Sequence, residues 1–212
     1  MIGGSAEGRI DGLSRRDALM LLLAGSTTAA FPWSAEQVDR AARLAQQARA
    51  AAAAAGTSFE PRFFTAREWE TVRILVDIII PRDERSGSAT EAGVPEFMDW
   101  ILTEYPGGQN AMRGGLAWLD SECRRRYGKA FSQCGETERT GVLDDVAWPR
   151  RARRELSHGV SFFNMFRDMT ASGFFSSRLG VEDLRYMGNT FVAEWAGCPP
   201  EALRKLGVTY TD

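Results

Sequence analysis

Residues 63–81 read FFTAREWETVRILVDIIIP. Thr65 and Glu68 stand at the spacing of a capping box, in which a hydroxyl and a carboxylate each satisfy a backbone N–H at a helix start. Phe64 and Trp69 flank that box at the positions of a hydrophobic staple. Trp69, Val72, Leu75 (or Val76) and Ile79 then recur at helical spacing, and Pro81 cannot continue the helix. The stretch predicts one amphipathic helix with both ends marked.

Toward the C-terminus the same grammar repeats. RDERSGSATEAGV (82–94) reads as a polar loop of small residues. Pro95 opens a second helix, PEFMDWILTEY, which stops at Pro106-Gly107-Gly108. Met112, Leu116, Leu119, Cys123 and Tyr127 mark a third, closing at Gly128. ETERTGVLDDVAW (136–148) is a fourth, ended by Pro149. The fifth, about 151–171, carries Leu156, Val160, Phe163 and Phe166 on one side and ends before Gly173. The tail beyond is loop-rich, with a short helix at Pro200–Leu206. No run alternates apolar and polar residues over strand length, and no repeat is present. The expected fold is all-α: a single helical domain over 59–212, with about five main helices and an irregular C-terminal tail.

Toward the N-terminus, AEQVDRAARLAQQARAAAAAA (35–55) is rich in helix formers but thin in apolar content. It reads as an Ala-rich linker or helix over 31–58 without a face worth burying. Before it, GLSRRDALMLLLAGSTTAA (12–30) sets two arginines ahead of an apolar run, Ala18–Ala30, of 13 residues. A bilayer core needs about 20 apolar residues, so this run fits an export signal over 1–30 rather than a span. Ser14-Arg15-Arg16-Asp17-Ala18-Leu19 resembles the twin-arginine (Tat) signal, with Arg15 and Arg16 as its pair and Ala18 where a bulkier residue is usual. The alternatives are an ordinary secretory signal, or a helix begun at Ser14.

Composition narrows the function. Lysine plus arginine number 26 against 28 acidic residues, a net charge of −2. That leaves no excess of positive charge to neutralise phosphates, so nucleic acid is not the expected partner. Three cysteines, Cys123, Cys134 and Cys198, form no CxxC or zinc-like pattern. In the oxidising compartment that an export signal implies, cysteine pairs tend to bridge. The chain can turn back at Gly128, so a Cys123–Cys134 disulfide is expected, leaving Cys198 as a buried thiol beside Pro199.

Several stretches together resemble the gluconate 2-dehydrogenase subunit 3 family. They are the Tat-like leader, FFTAREWETVRILVDIIIP, EAGVPEFMDWIL, GLAWLDSECRRRYGKAF, and the tail GFFSS…YMGNTFVAEWAGCP…LRKLG. The resemblance implies a non-catalytic small subunit that assists folding of a larger FAD-dependent oxidoreductase of the glucose–methanol–choline (GMC) type and carries it across the membrane. The complex often includes a cytochrome c subunit. It also implies a periplasmic location, or the periplasmic face of the inner membrane, reached by the Tat route. No cofactor is expected in this chain, with FAD in the partner.

The residues agree with a poor catalytic endowment. His158 is the one histidine, and a lone imidazole without an orienting partner is a weak general base. Glycines in YPGGQ and MRGGL lack the GxGxxG spacing of a dinucleotide site. Asp144-Asp145, Asp83, Glu84 and Glu91 read as solvated carboxylates rather than metal ligands. Arg124, Arg125, Arg126 and Lys129 sit at a helix C-terminus, where the helix dipole favours them. Arg150, Arg151, Arg153 and Arg154 instead crowd a helix N-terminus, where it does not. They are either a solvated loop or a docking patch for an acidic partner. Aromatic residues of the tail, Phe174, Phe175, Tyr186, Phe191 and Trp195, exceed what an irregular segment can bury alone and are candidates for partner docking. The rival readings are an independent periplasmic helical adaptor without a flavoprotein partner, and an enzyme relying on carboxylates alone.

Overall fold

The computed structural model describes residues 33–185, 193–194 and 197–210. Among these are nine α-helices and no strand. The helices are α1 (Ala35–Ala54), α2 (Ala66–Ile79), α3 (Ala89–Ala92), α4 (Val94–Glu104), α5 (Gln109–Tyr127), α6 (Glu136–Ala147), α7 (Ser157–Phe175), α8 (Arg178–Asp183) and α9 (Pro200–Leu206). The expected all-α class holds. The expected count of about five main helices matches α2, α4, α5, α6 and α7, and misses α1, α3 and α8. The leader with Arg15 and Arg16, and the tail residues Tyr186, Phe191 and Trp195, lie outside the described residues.

α2 begins as its sequence dictates. The Thr65 side chain accepts the Glu68 N–H, and the Glu68 carboxylate accepts the Thr65 N–H at 2.9 Å. The Phe64 and Trp69 rings stand 6.2 Å apart. Val72, Leu75 and Val76 are fully buried. The entry to α2 is fixed from outside as well. Asp99 of α4, itself buried, accepts the backbone N–H groups of Arg62 (2.9 Å), Phe63 (2.9 Å) and Phe64 (3.2 Å). These donors precede the first turn, so a buried carboxylate supplies partners that water cannot.

Between α3 and α4 the chain reverses at Gly93, whose φ of 89° is left-handed. A side chain there would be strained and would also collide with Arg49 of α1. The SATEA segment within the expected polar loop becomes α3 because Ser88 and Glu91 form a capping box of their own.

α7 is the central helix, packed on α5, α6, α4 and α2. Its buried residues are Gly159, Phe162, Phe166, Met169, Thr170, Gly173 and Phe174. The helix therefore faces inward along Phe162, Phe166 and Met169, with Phe163 only partly buried. Leu156 and Phe166 of the expected Leu156–Val160–Phe163–Phe166 face are buried as read, but Phe162 and Met169 take the inward places instead of Val160 and Phe163, a rotation of the face. Two glycines explain the rotation. A Cβ on Gly115 of α5 would fall 1.8 Å from the Phe162 ring, and one on Gly159 of α7 would fall 2.2 Å from the Trp118 ring. Each helix thus presents a hole to the other's aromatic knob, three residues along. Gly173 does not end α7 but lies inside it under the Phe97 ring, again at a distance no Cβ could share.

The Ala-rich segment is a docked helix rather than an exposed linker. α1 is capped by a Ser34–Gln37 capping box and lies along α4, with Ala41, Ala42 and Ala45 buried. Alanine buries little area per residue, but it lets two helix backbones approach closely. Trp33, just ahead of α1, is buried over Gly108, where a Cβ would lie 2.7 Å from its ring. Beneath α1, Glu96 of α4 is buried with Arg49 Nε 3.6 Å away, and its Oε2 has no hydrogen-bond partner. Burial holds that carboxyl above the usual range, partly offset by Arg49.

Candidate docking surface

The polar side chains singled out from sequence are mostly engaged in building the fold. Asp83 accepts the N–H groups of Arg85 and Ser86 at 2.8 Å each, a turn-forming role. Glu91 accepts the Ser88 N–H and pairs with Arg82. Glu84 and Asp144 are exposed, and His158 is exposed on the first turn of α7. Asp145 pairs with Arg126 at 2.8 Å. No group of three or more histidine, cysteine or acidic side chains able to hold a metal ion occurs among the described residues. No described helix is long and apolar enough to cross a membrane.

The two arginine clusters differ sharply. At the C-terminus of α5 every cation has a carboxylate. Arg124 meets Asp120 at 3.1 Å, and Arg125 and Arg126 meet Glu122 at 2.6 and 2.7 Å. Lys129 meets Glu138 at 2.8 Å. The hydrogen bonds from Arg125 and Arg126 hold the Glu122 carboxyl down at about 2, against the opposing push of its burial. This cluster ties α5 to its neighbours.

The second cluster is largely unpaired. Arg150, Arg151 and Arg153 lie in the loop after α6, and Arg154 begins a short 3-10 turn before α7; all four are exposed. Among the described residues only Arg153 approaches a carboxylate, Asp145 at 3.8 Å, and that group is already held by Arg126. Beside them stands Trp148, 62% exposed, with the Arg151 guanidinium 6.0 Å from its ring centre. Trp148 is not among the docking residues read from the sequence. Its signal was its place at a helix end between Ala147 and Pro149, immediately ahead of the arginines.

The aromatic candidates separate as well. Phe174 is buried and packs edge-to-face on Phe175 at 5.3 Å. It belongs to the chain's own core, which removes it from the docking candidates. Phe175 is 41% exposed. It shares with Ile79, Ile80, Pro81 and Arg167 a shallow groove of about 360 Å³.

Cys123 and Cys134 are brought together. Both are buried and both are free thiols. Burial pushes the Cys123 thiol up to about 12. Cys198 is exposed rather than buried, its N–H donating to Tyr210 Oη at 2.6 Å.

The fold and its surface define a class first: an all-α domain, among whose described residues the arginines at 150–154 form a largely unpaired cationic patch. The family follows from comparison. The model for gluconate 2-dehydrogenase subunit 3 matches residues 66–194, and the chain belongs to that family. The match begins at the first residue of α2 and leaves α1 outside it. Comparison with curated proteins and with solved structures finds no match.

Proposed function

We propose that the chain is the non-catalytic small subunit of a flavin-dependent dehydrogenase acting on sugars or polyols. It binds a GMC-type catalytic subunit, helps it to fold and load FAD, and lends it a twin-arginine export signal through Arg15 and Arg16. The observation that carries this reading is family membership across α2 to α8, in a chain where Glu68, Asp83 and Glu122 are engaged as caps, turn acceptors and ion pairs. Compartment supplies the physical logic. FAD is loaded in the cytoplasm, so the holoenzyme must cross folded, and a folded complex can cross on one subunit's signal. A cytochrome c subunit completes the electron path in complexes of this kind.

Purification of the tagged full-length chain from cells that also express the adjacent large subunit tests the reading. A flavin-containing polypeptide should be recovered in constant ratio to the chain. A colourless chain recovered alone would instead support an independent helical adaptor.

A further inference from the structure

We propose that Trp148 and the arginines at 150, 151, 153 and 154 form the docking surface for a carboxylate-bearing segment of the flavoprotein. The inference rests on the small-subunit reading and adds to it where the partner sits and what it presents.

Three observations converge on this surface. An exposed indole stands beside the Arg151 guanidinium, and tryptophan and arginine are among the residues most enriched at energetically dominant interface positions. Arg150, Arg151 and Arg154 have no carboxylate partner among the described residues, and Arg153 has only a distant, shared one. In a chain of net charge −2, whose other basic cluster is fully neutralised, this concentration of unpaired cations calls for acidic groups from outside. The loop is also shaped in advance. Trp148 O accepts the N–H groups of Arg151 (2.9 Å) and Ala152 (3.0 Å), and Arg153 O accepts the Leu156 N–H at 3.0 Å. Leu156 is buried and anchors the end of the segment. A preformed loop loses little freedom on binding, which favours docking without rearrangement.

The partner chemistry follows from the pairing of groups. An apolar recess receives the indole, and aspartate or glutamate side chains around it take the guanidinium groups in paired hydrogen bonds. An anionic membrane surface is the competing occupant. It is disfavoured because Trp148 is the one exposed large hydrophobic residue between Tyr127 and Phe175. A single indole gives little to insert into a bilayer.

The test compares tagged full-length variants by the flavin recovered per mole of chain, each competing with untagged wild type for the large subunit. Trp148→Ala and, separately, Arg153→Ala/Arg154→Ala should each lower recovery about tenfold or more, as loss of a dominant contact does. Recovery by wild type should fall with added salt. Arg178→Ala removes an exposed arginine far along the chain, in α8, where it pairs with Glu182, and should not change recovery. Melting curves matching wild type establish that the variants fold, as expected for exposed positions. Undiminished recovery by both loop variants would overturn the proposal, and so would an equal loss with Arg178→Ala. Variants that keep the flavoprotein but lose binding to phosphatidylglycerol vesicles would overturn it in favour of a membrane contact. If wild type recovers no flavoprotein, the small-subunit reading fails and this surface assignment fails with it.

Discussion

Phe162 of α7 rests on Gly115 of α5, and three residues along each helix the roles invert, with Trp118 of α5 resting on Gly159 of α7. This reciprocal fit fixes the rotation of the central helix and with it the faces that α6 and α4 can cover.

The neighbouring glycines of α5 supply a paired test. A Cβ at Gly115 would fall 1.8 Å from the Phe162 ring, whereas one at Gly114 meets nothing within 4 Å. Gly115→Ala should destabilise the protein by about 1–3 kcal/mol, overpacking exceeding the gain in helix propensity. Gly114→Ala should stabilise it by about 0.5–1 kcal/mol. Denaturant midpoints measure both. Shifts of the same sign would reject the close α5–α7 approach.

Asp99 is the second structural prediction. Its removal strands the N–H groups of Arg62, Phe63 and Phe64 just ahead of α2. Each buried donor left unpaired costs about 1–3 kcal/mol. Asp99→Ala should therefore cost about 3 kcal/mol or more, with amide exchange at 62–64 accelerating beyond that at the centre of α2. A loss below about 1 kcal/mol would mean that water replaces the carboxylate.

Those two sites show where sequence reading succeeds and where it stops. The Thr65–Glu68 box and the Met112–Leu116–Leu119–Cys123–Tyr127 stripe are local patterns, and both appear in the structure as read except that Tyr127, at the stripe's end, is exposed. The Asp99 contacts join residues 35 to 37 positions apart, and a single aspartate in a helix carries no mark of its distant partners. α1 was illegible for a different reason. Its buried side is alanine, and alanine recurs on every side of that helix, so no periodic contrast marks the face that packs. Trp148 resembles a core residue by type, and only its place at a helix end ahead of Pro149 and the arginines marks it as outward-facing.

Acid stability should report the Glu122 cluster. A carboxyl held at about 2 in the folded state, against 4.5 ordinarily, favours folding above pH 4.5. That contribution fades as pH falls from about 4.5 toward about 2. Glu122→Gln removes it, so the variant should be less stable than wild type at neutral pH, with the gap narrowing through the acid range. Urea midpoints across that range are the measurement. A gap of constant width would show that Arg125 and Arg126 do not act on Glu122 as described.

Thiol chemistry separates the three cysteines. The Cys123 thiol, pushed up to about 12, offers almost no thiolate at neutral pH and should resist alkylation in the native protein, whereas exposed Cys198 should react readily. Because Cys123 and Cys134 are both buried, at the end of α5 and in the turn that follows it, we propose that they bridge when the protein is exported into an oxidising compartment. Intact mass without reductant should then be lower by the two hydrogens lost on bridging. Full recovery of three free thiols from exported material would reject the bridge.

The central claim joins binding to export, and one fractionation addresses both. Replacing Arg15 and Arg16 with lysine preserves the charge of the leader, so an ordinary secretory signal should continue to work. A twin-arginine signal should fail, because arginine and lysine are not interchangeable where planar, multidentate contacts are made. The measurement is flavin-dependent dye reduction in cytoplasmic, periplasmic and membrane fractions of cells carrying the double lysine variant. The account expects this chain and the flavoprotein to be retained together in the cytoplasm, with activity lost from the other two fractions. Undiminished activity outside the cytoplasm, with this chain trapped inside, would contradict shared export, and normal export of this chain would contradict the twin-arginine signal itself.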